Sequence, residues 1–218
     1  MRFEEAVRRL ELLPEELPEG PPALTPTFAD TGSPRPRPTW DAADASARPA
    51  AVLVLVFPDD RGDARLVLTE RVDRGGHHSG EVSFPGGRAE PDDVDLVATA
   101  LREASEEVAL DVGQAGVRVL GMLPVQWIPV SNFTVTPVVA IAERRPSLTP
   151  QPTEVAAILE APLAAFLPDG ELRMVEREIR GWHLRYAAYP IDGLNVWGMT
   201  ARVLGGLGAW LARDLPAG

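Results

Sequence analysis

Three glutamates, Glu103, Glu106 and Glu107, lie three and four residues apart in a segment with helical periodicity. At 3.6 residues per turn these positions share one face of a helix, so their carboxylates lie close together. Like charges at this spacing destabilise a helix slightly, whereas a hard divalent cation such as Mg²⁺ prefers carboxylate oxygens as ligands. The spacing therefore points to two alternatives, a metal site or an ordinary solvated acidic face.

The helix that carries these carboxylates is predicted to begin near Pro91. Proline is favoured in a first helical turn, and Asp92 and Asp93 suit the partial positive charge of a helix N-terminus. The pattern predicts an amphipathic helix with the glutamates on the side opposite to its apolar residues. Those apolar residues are Val94, Val97, Leu101 and Val108.

Length and charge limit the classes of function. The chain has 218 residues, of which 45% are hydrophobic, and this is enough for one sizeable core. We expect an N-terminal helix and Pro-rich extension at residues 1–49 and one domain at residues 50–218. The formal net charge of −11 argues against a surface that binds nucleic acid or an anionic membrane. A negatively charged substrate then needs local arginines or a metal ion.

Cysteine usage and the N-terminal segment indicate the compartment. There is no cysteine, so the chain has neither a disulfide framework nor a thiol nucleophile. The first residues, MRFEEAVRRLELLPEEL, alternate charged with apolar side chains and lack the apolar centre of a signal peptide. The apolar run at residues 50–57 is too short to span a bilayer. These features predict a soluble cytoplasmic protein.

Hydrophobic periodicity along the rest of the chain predicts an α/β fold. Strand-like and helix-like segments are interspersed, and the strand at residues 133–141 is apolar enough to be buried on both faces. The expected elements are a helix at 3–13, a Pro-rich arm at 18–49, strands at 52–57, 64–71, 117–125 and 133–141, a strand and short helix at 153–166, a hairpin at 173–191 and a helix at 198–213.

The acidic helix and the glycines before it resemble the Nudix box, G-x5-E-x7-R-E-U-x-E-E-x-G-U, in which U is apolar. The matching positions are Gly87, Arg102, Glu103, Ala104, Glu106, Glu107 and Leu110. Two positions depart from the box. Asp93 stands where the first Glu belongs, with eight rather than seven residues before Arg102, and Ala109 replaces the last Gly.

Segments on both sides of the box are similar to those of the coenzyme A diphosphatase subfamily. They include H-x-G-E-V-x-F-P-G-G at 78–87, L-G-x-L-P at 120–124 and N-F-x-V-T-P-V-V at 132–139. The resemblance implies a Nudix-type α/β/α sandwich with a mixed sheet. It also implies a metal-dependent hydrolase that cleaves the diphosphate of coenzyme A, or of its derivatives, into 3′,5′-ADP and (acyl-)4′-phosphopantetheine.

One departure from the subfamily bears on the substrate. Val72, Gly75 and Gly76 stand where the subfamily has Ser, Leu and Arg, so a cation is missing, although Arg74 lies nearby. A Nudix hydrolase of another nucleoside diphosphate derivative, such as ADP-ribose or NADH, is therefore an alternative. A non-catalytic nucleotide-binding protein is a third.

The resemblance also implies catalytic roles. Glu103, Glu106 and Glu107 hold Mg²⁺ or Mn²⁺ in that scheme, with the carbonyl oxygen of Gly87 as an additional ligand. Arg102 orients the carboxylates by charge-assisted hydrogen bonds. The general base of the family is either a box glutamate or a glutamate of a downstream loop. Glu106 and Glu154 are the two candidates.

Further residues are candidates for binding the substrate, which is expected to be a small nucleotide. The cationic candidates compete with a reading as solvent-exposed or ion-paired side chains, and the aromatic candidates, which flank an adenine ring in this scheme, compete with core packing. Many Nudix enzymes are dimers, so a homodimer is possible. The cationic candidates are Arg71, Arg74, His78 and Arg88, and the aromatic ones are Phe84 and Phe133.

Overall fold

A computed structural model describes residues 1–35, 46–72, 81–129, 131–179 and 181–214 of the chain. Its helices are α1 (Phe3–Leu10), α2 (Leu96–Val108), α3 (Val112–Ala115) and α4 (Gly198–Leu211), with 3₁₀ helices at Pro22–Leu24 and Leu163–Phe166. Its strands are β1 (Thr27–Phe28), β2 (Arg48–Pro58), β3 (Ala64–Arg71), β4 (Val82–Ser83), β5 (Gly86–Arg88), β6 (Val117–Met122), β7 (Gln126–Ile128), β8 (Phe133–Ala142), β9 (Val155–Pro162), β10 (Arg173–Ile179), β11 (Trp182–Ile191) and β12 (Leu194–Val196).

The chain divides into two compact units, one of residues 1–16 and 38–162 and the other of residues 17–37 and 163–218. The first unit contains a mixed sheet of eight strands, and the second an antiparallel sheet of four. The predicted α/β fold with a mixed sheet and an N-terminal helix is confirmed. The predicted boundary between an extension and a domain at residue 50 stays a prediction.

Strand β2 organises the sheet of the first unit. It runs parallel to β8, from Arg48 opposite Phe133 to Val56 opposite Ile141. On its other side it is antiparallel to β5 near its beginning and to β3 near its end. Both β2 and β8 are buried on both faces along most of their length, as the apolar run at residues 133–141 predicted for β8.

Helix α2 packs on one face of this sheet. Ala51, Leu53, Leu55 and Phe57, which alternate along β2, share a core cluster with three residues of α2: Ala100, Ala104 and Val108. Because side chains alternate between the faces of a strand, the even-numbered residues of β2 point to the opposite face. The odd-numbered residues of β2 therefore point toward α2, and the even-numbered residues point away from it.

Three predicted helix boundaries differ from the structure, and one of them is the end of α4, at Leu211 rather than Arg213. Helix α2 begins at Leu96 rather than near Pro91, because the Asp95 side chain caps it by accepting a 2.7 Å hydrogen bond from the Ala98 N–H. Val94 precedes the helix and is 90% exposed, so it does not belong to the apolar face. Helix α1 ends at Leu10, three residues earlier than expected.

The second unit is built from the β10–β11 hairpin and α4, both of which the sequence predicted. Tyr189 of β11 packs edge-on against Phe166, and its buried hydroxyl has no hydrogen-bond partner among the described residues. Strand β10 pairs only with β11 in the described part of the chain, so it forms an edge of the sheet. Its charged residues, Arg173, Glu176, Arg177 and Glu178, are exposed. No helix in the described ranges is long and apolar enough to span a bilayer.

Candidate active site

The close approach of β5 to α2 shapes the centre of the site. Gly86 has a φ of +154°, and a Cβ there would collide with the backbone of β2. At Gly87 a Cβ would lie 2.5 Å from the carboxyl carbon of Glu103. Glycine at both positions therefore lets the strand backbone lie directly against the Glu103 carboxylate.

Glu107 is buried at this contact, with 4% of its surface exposed. Its Oε2 accepts a 3.0 Å hydrogen bond from the Gly86 N–H, and its Oε1 lies 3.8 Å from Nη1 of Arg71. Burial raises the pKa of the Glu107 carboxyl to about 7. Glu107, expected with the other two glutamates on the side opposite to the apolar face, is thus buried rather than solvent-exposed, because β5 packs against that part of the helix.

Arg102 donates hydrogen bonds to three acidic side chains, those of Asp93, Glu103 and Glu106. Its Nε and Nη2 donate to the two carboxylate oxygens of Asp93 at 2.9 and 3.0 Å. Its Nη1 donates to Oε1 of Glu103 and to Oε2 of Glu106, both at 3.1 Å. Its Nη2 also donates to the Arg88 carbonyl at 3.0 Å. The contacts are charge-assisted, so they hold Glu103 and Glu106 in fixed positions.

Asp93 is one of the two residues that depart from the Nudix box, and it keeps a specific contact with Arg102 despite the longer spacing. Besides Arg102, its Oδ2 accepts 2.9 Å hydrogen bonds from the Thr99 hydroxyl and from the Glu90 N–H. Hydrogen bonds from Arg102 hold the pKa of the Asp93 carboxyl well below its usual range. Asp93, which is one methylene shorter than the Glu of the box, thus connects the loop before α2 to the helix and holds the Arg102 guanidinium in position.

The loop that carries Glu154 is anchored to the C-terminus of α2. The Gln151 N–H donates to the Glu107 carbonyl at 2.8 Å, and the Glu154 N–H donates to the Gln151 carbonyl at 2.9 Å. Val72, just after β3, donates its N–H to the Glu154 carbonyl at 2.9 Å. The Glu154 side chain is exposed, and its charge is among the causes that raise the pKa values of Glu103 and Glu107. The structure therefore brings Glu154 to the same site.

The predicted substrate-binding residues divide into three groups. Arg71 lies at the site beside Glu107, and Arg88 is exposed at the end of β5. Phe84 is 1% exposed and packs in the core, so it has no free ring face for an adenine and its predicted role is wrong. Arg74 and His78 lie outside the described residues.

Phe133 is half-buried, and its ring face carries a cation that the sequence interpretation missed. The guanidinium carbon of Arg48 lies 4.2 Å from the centre of the Phe133 ring. No sequence motif contains both Arg48 and Phe133. Their contact follows from the parallel pairing of β2 with β8, a long-range register that periodicity does not reveal.

The chemistry of the acidic cluster suits a hard divalent cation. Burial is the main cause that raises the pKa values of Glu103 and Glu107. The charge of Glu154 raises both further, and a second carboxylate adds to each, Glu106 for Glu103 and Glu103 for Glu107. As the side chains stand, no group of three or more His, Asp or Glu in the described ranges is arranged to hold a metal ion, and Arg102 bridges Glu103 and Glu106. All the donors are oxygens, and a dication would offset their uncompensated charge.

Comparison with known families agrees with this arrangement. The sequence pattern of the NUDIX domain matches residues 47–184, a range that includes β5, α2 and the Glu154 loop. The chain belongs to the NUDIX domain family. The family resemblance predicted from the acidic helix is therefore confirmed.

Similar sequences include plant and bacterial Nudix hydrolases. Nudix hydrolase 15, mitochondrial, of Arabidopsis thaliana is 40% identical over 161 residues, which cover 71% of this chain and 55% of the plant protein. The uncharacterised Nudix hydrolase NudL of Cronobacter sakazakii is 39% identical over 168 residues, 77% of this chain and 85% of that protein. The chain thus spans about half the length of the plant relatives and most of NudL.

Solved Nudix structures resemble the chain at low sequence identity. The Nudix hydrolase RenU of M. smegmatis is 23% identical, with a TM-score of 0.46, over 55% of this chain and 73% of RenU. The NUDIX domain of Shewanella oneidensis NrtR, solved with ADP ribose, is 20% identical, with a TM-score of 0.43, over 56% of this chain and 77% of that domain.

Proposed function

We propose that this chain is a metal-dependent diphosphatase that hydrolyses coenzyme A or its derivatives to 3′,5′-ADP and (acyl-)4′-phosphopantetheine. The observation that carries the hydrolytic part is the close approach of Glu103 and Glu107 to Gly87 and Gly86 of β5, with Glu154 near enough for its charge to act on both carboxyls. The raised pKa values of Glu103 and Glu107 arise mainly from burial and further from neighbouring carboxylates, so both groups are costly to ionise in the metal-free protein. A non-catalytic role gives no reason to keep such an arrangement, because it costs stability.

The residues have separate roles in this proposal. Glu103, Glu106, Glu107 and the Gly87 carbonyl hold Mg²⁺ or Mn²⁺. When bound, such an ion neutralises diphosphate charge and lowers the pKa of a water molecule. Arg102, held by Asp93, positions the carboxylates of Glu103 and Glu106.

A general base must accept the proton of the attacking water. Glu106 and Glu154 are both exposed, so each can exchange a proton with solvent. Glu106 is held by Arg102, whereas Glu154 is carried by a loop whose backbone is anchored to α2. Both are candidates for the base. In this proposal Arg71, whose Nη1 lies 3.8 Å from Oε1 of Glu107, contacts a substrate phosphate.

The coenzyme A assignment is supported by the segments at 78–87, 120–124 and 132–139, which are similar to those of the coenzyme A diphosphatase subfamily. A second candidate substrate class is ADP-ribose or a reduced dinucleotide. The observation in its favour is Val72, which stands at a position of the subfamily's substrate signature and whose backbone is bonded to the Glu154 loop. The cytoplasmic location and the homodimer also stay predictions.

A substrate comparison tests the proposal. Wild-type protein is incubated with coenzyme A, ADP-ribose and NADH in parallel at saturating Mg²⁺, and kcat/KM is measured for each. We expect the highest value for coenzyme A. A higher value for ADP-ribose or NADH would establish the second candidate instead.

The Glu107→Gln variant tests the metal assignment. It keeps an oxygen that accepts from the Gly86 N–H but loses the charge, so we expect kcat to fall by at least about a hundredfold with the fold retained. Glu143→Gln, an exposed change outside the site, is the matched control and keeps wild-type turnover. Unchanged turnover in Glu107→Gln contradicts the assignment.

A further inference from the structure

Two arginines lie on the face of the first unit's sheet that is turned away from α2. Ala50 of β2 is directly opposite Arg88 of β5, so these two side chains share a face. Arg48 lies two residues before Ala50 and therefore points to that same face, about 7 Å further along the strand. Ala51, next to Ala50, packs toward α2 and marks the other face.

Arg48 is fixed without being neutralised. Its guanidinium lies 4.2 Å from the Phe133 ring centre, and its Nη2 donates to the Ser131 carbonyl at 3.0 Å. Throughout the described ranges, no carboxylate forms an ion pair with Arg48 or with Arg88. In a chain with a net charge of −11, two neighbouring arginines without carboxylate partners keep N–H donors free for an external anion.

These cations lie next to the proposed catalytic centre. Arg88 follows Gly87 in β5, and its carbonyl accepts a hydrogen bond from Arg102. The edge of β5 away from β2 faces α2, because the Gly86 N–H donates to Glu107 and the Arg88 carbonyl accepts from Arg102. Arg88 directly follows Gly87, and its side chain lies on the same face as Arg48, so the ribose of a nucleotide whose diphosphate lies at Gly87 can extend toward both arginines.

We propose that Arg48 and Arg88 bind a second phosphate of the substrate, the phosphomonoester on the ribose 3′ position. This group distinguishes coenzyme A from dephospho-coenzyme A. The inference rests on the proposed function and names the cations that replace the one missing at Val72, Gly75 and Gly76 of the substrate signature. The Phe133 ring holds Arg48 in place, so Phe133 acts here on a cation rather than on the adenine alone.

The test is the ratio of kcat/KM for coenzyme A to kcat/KM for dephospho-coenzyme A. The wild-type ratio is compared with the ratios of Arg48→Gln, Arg88→Gln and Arg48→Lys at constant Mg²⁺. We expect each glutamine variant to lower the ratio by about tenfold or more, because each loses charge-assisted hydrogen bonds to the 3′-phosphate. Arg48→Lys keeps the charge and retains more of the ratio than Arg48→Gln.

Arg61→Gln is the matched control, because Arg61 is an exposed arginine in the turn beyond the far end of β2. Arg61→Gln changes the net charge by the same amount as Arg48→Gln. If direct contacts with the 3′-phosphate set the ratio of the two kcat/KM values, Arg61→Gln keeps that ratio within about twofold of wild type. If the ratio falls equally in Arg61→Gln and Arg48→Gln, the effect comes from the net charge of the protein, and the proposed 3′-phosphate site is wrong.

The kinetic results separate the two proposals. Hydrolysis of both substrates with an unchanged ratio in Arg48→Gln and Arg88→Gln overturns the 3′-phosphate site and leaves the diphosphatase intact. If wild type hydrolyses neither substrate, the proposed function fails, and calorimetric binding of 3′,5′-ADP and of AMP decides the site. Tighter binding of 3′,5′-ADP that is lost in Arg48→Gln supports the site, and equal affinities overturn it.

Discussion

At the scale of single residues, Glu107 is a buried carboxylate whose ionisation lowers the stability of the folded protein. A carboxylate with 4% of its surface exposed is costly to ionise, and one backbone N–H with a distant arginine only partly offsets that cost. The site keeps this acid where an apolar residue would be more stable. The cost is consistent with a group that is retained for chemistry.

The stability of the metal-free protein should depend on pH through this group. The Glu107 carboxyl has a pKa of about 7 in the folded chain, against an ordinary value of 4.5. The folded state therefore binds the proton more tightly. The contribution to stability is present below the ordinary pKa and is lost as the pH rises through about 7. At about 1.4 kcal/mol per pKa unit, the loss amounts to about 3 kcal/mol.

We expect metal-free Glu107→Gln to be more stable than wild type by up to about 3 kcal/mol at pH of about 8 and nearly equal to it at pH of about 4. The measurement is urea unfolding in a chelator across this pH range. Glu143→Gln should follow the wild-type curve. Parallel curves for Glu107→Gln and wild type would show that burial does not perturb this carboxyl.

At the scale of elements, α2 ends in a backbone conformation that its residue does not favour. Ala109 has a φ of +54° and a ψ of +36°, and its N–H donates to the Ala104 carbonyl, closing the helix. The family box has Gly here, because glycine adopts the left-handed region without a steric cost. The helix therefore ends where the box predicts, but with strain in the last residue.

Ala109→Gly should stabilise the protein by about 1 kcal/mol, because the relief of left-handed strain exceeds the added entropy of the unfolded chain. Ala109 is exposed, so no packing is lost. The urea midpoint measures the effect. Ala98→Gly, within the same helix, should instead cost about 0.5 to 1 kcal/mol. A lower midpoint in Ala109→Gly would contradict the strain.

Elements with strong local patterns were predictable, and those made by long-range contacts were not. Strand β3 has the predicted bounds, because alternating apolar residues between turn signals favour a strand locally. Strand β5 was missed, since Gly86 and Gly87 have no strand propensity and pair only because β2 lies beside them. The start of α2 was placed at Pro91, whereas the cap is Asp95.

The same distinction applies to the site. The three box glutamates follow from helical spacing, which local geometry determines. The burial of Glu107, the exclusion of Phe84 from the surface and the contact of Arg48 with Phe133 depend on which strand lies beside which. Sequence spacing therefore gave the acids, while the sheet register determines their environment.

At the scale of the whole molecule, each compact unit has its own packing requirement. In the second unit, α4 lies so close to the 3₁₀ helix at Leu163–Phe166 that a Cβ on Gly208 would overlap the Phe166 carbonyl oxygen. At the neighbouring Gly206 a Cβ would meet the Pro18 carbonyl oxygen at 3.0 Å, a milder contact. Small residues thus allow this helix to approach the backbone around it.

Gly208→Ala should destabilise the second unit by about 1 to 3 kcal/mol, because overpacking outweighs the higher helix propensity of alanine. Gly206→Ala, with the milder contact, should cost less. Urea unfolding followed by tryptophan fluorescence measures both, since Trp197 of this unit stacks on Tyr186. Equal losses in the two variants would show that the collision with Phe166 does not set the packing.

The exposed strand β10 has a consequence for self-association. Two copies that extended the sheet edge to edge would be related by a two-fold axis through one β10 residue. An axis at Val175 places Arg173 opposite Arg177, one at Glu176 places Glu176 opposite itself, and one at Arg177 repeats this with arginine. Like charges directly opposite each other repel. The order of charges along β10 therefore disfavours edge-to-edge strand addition in these three registers.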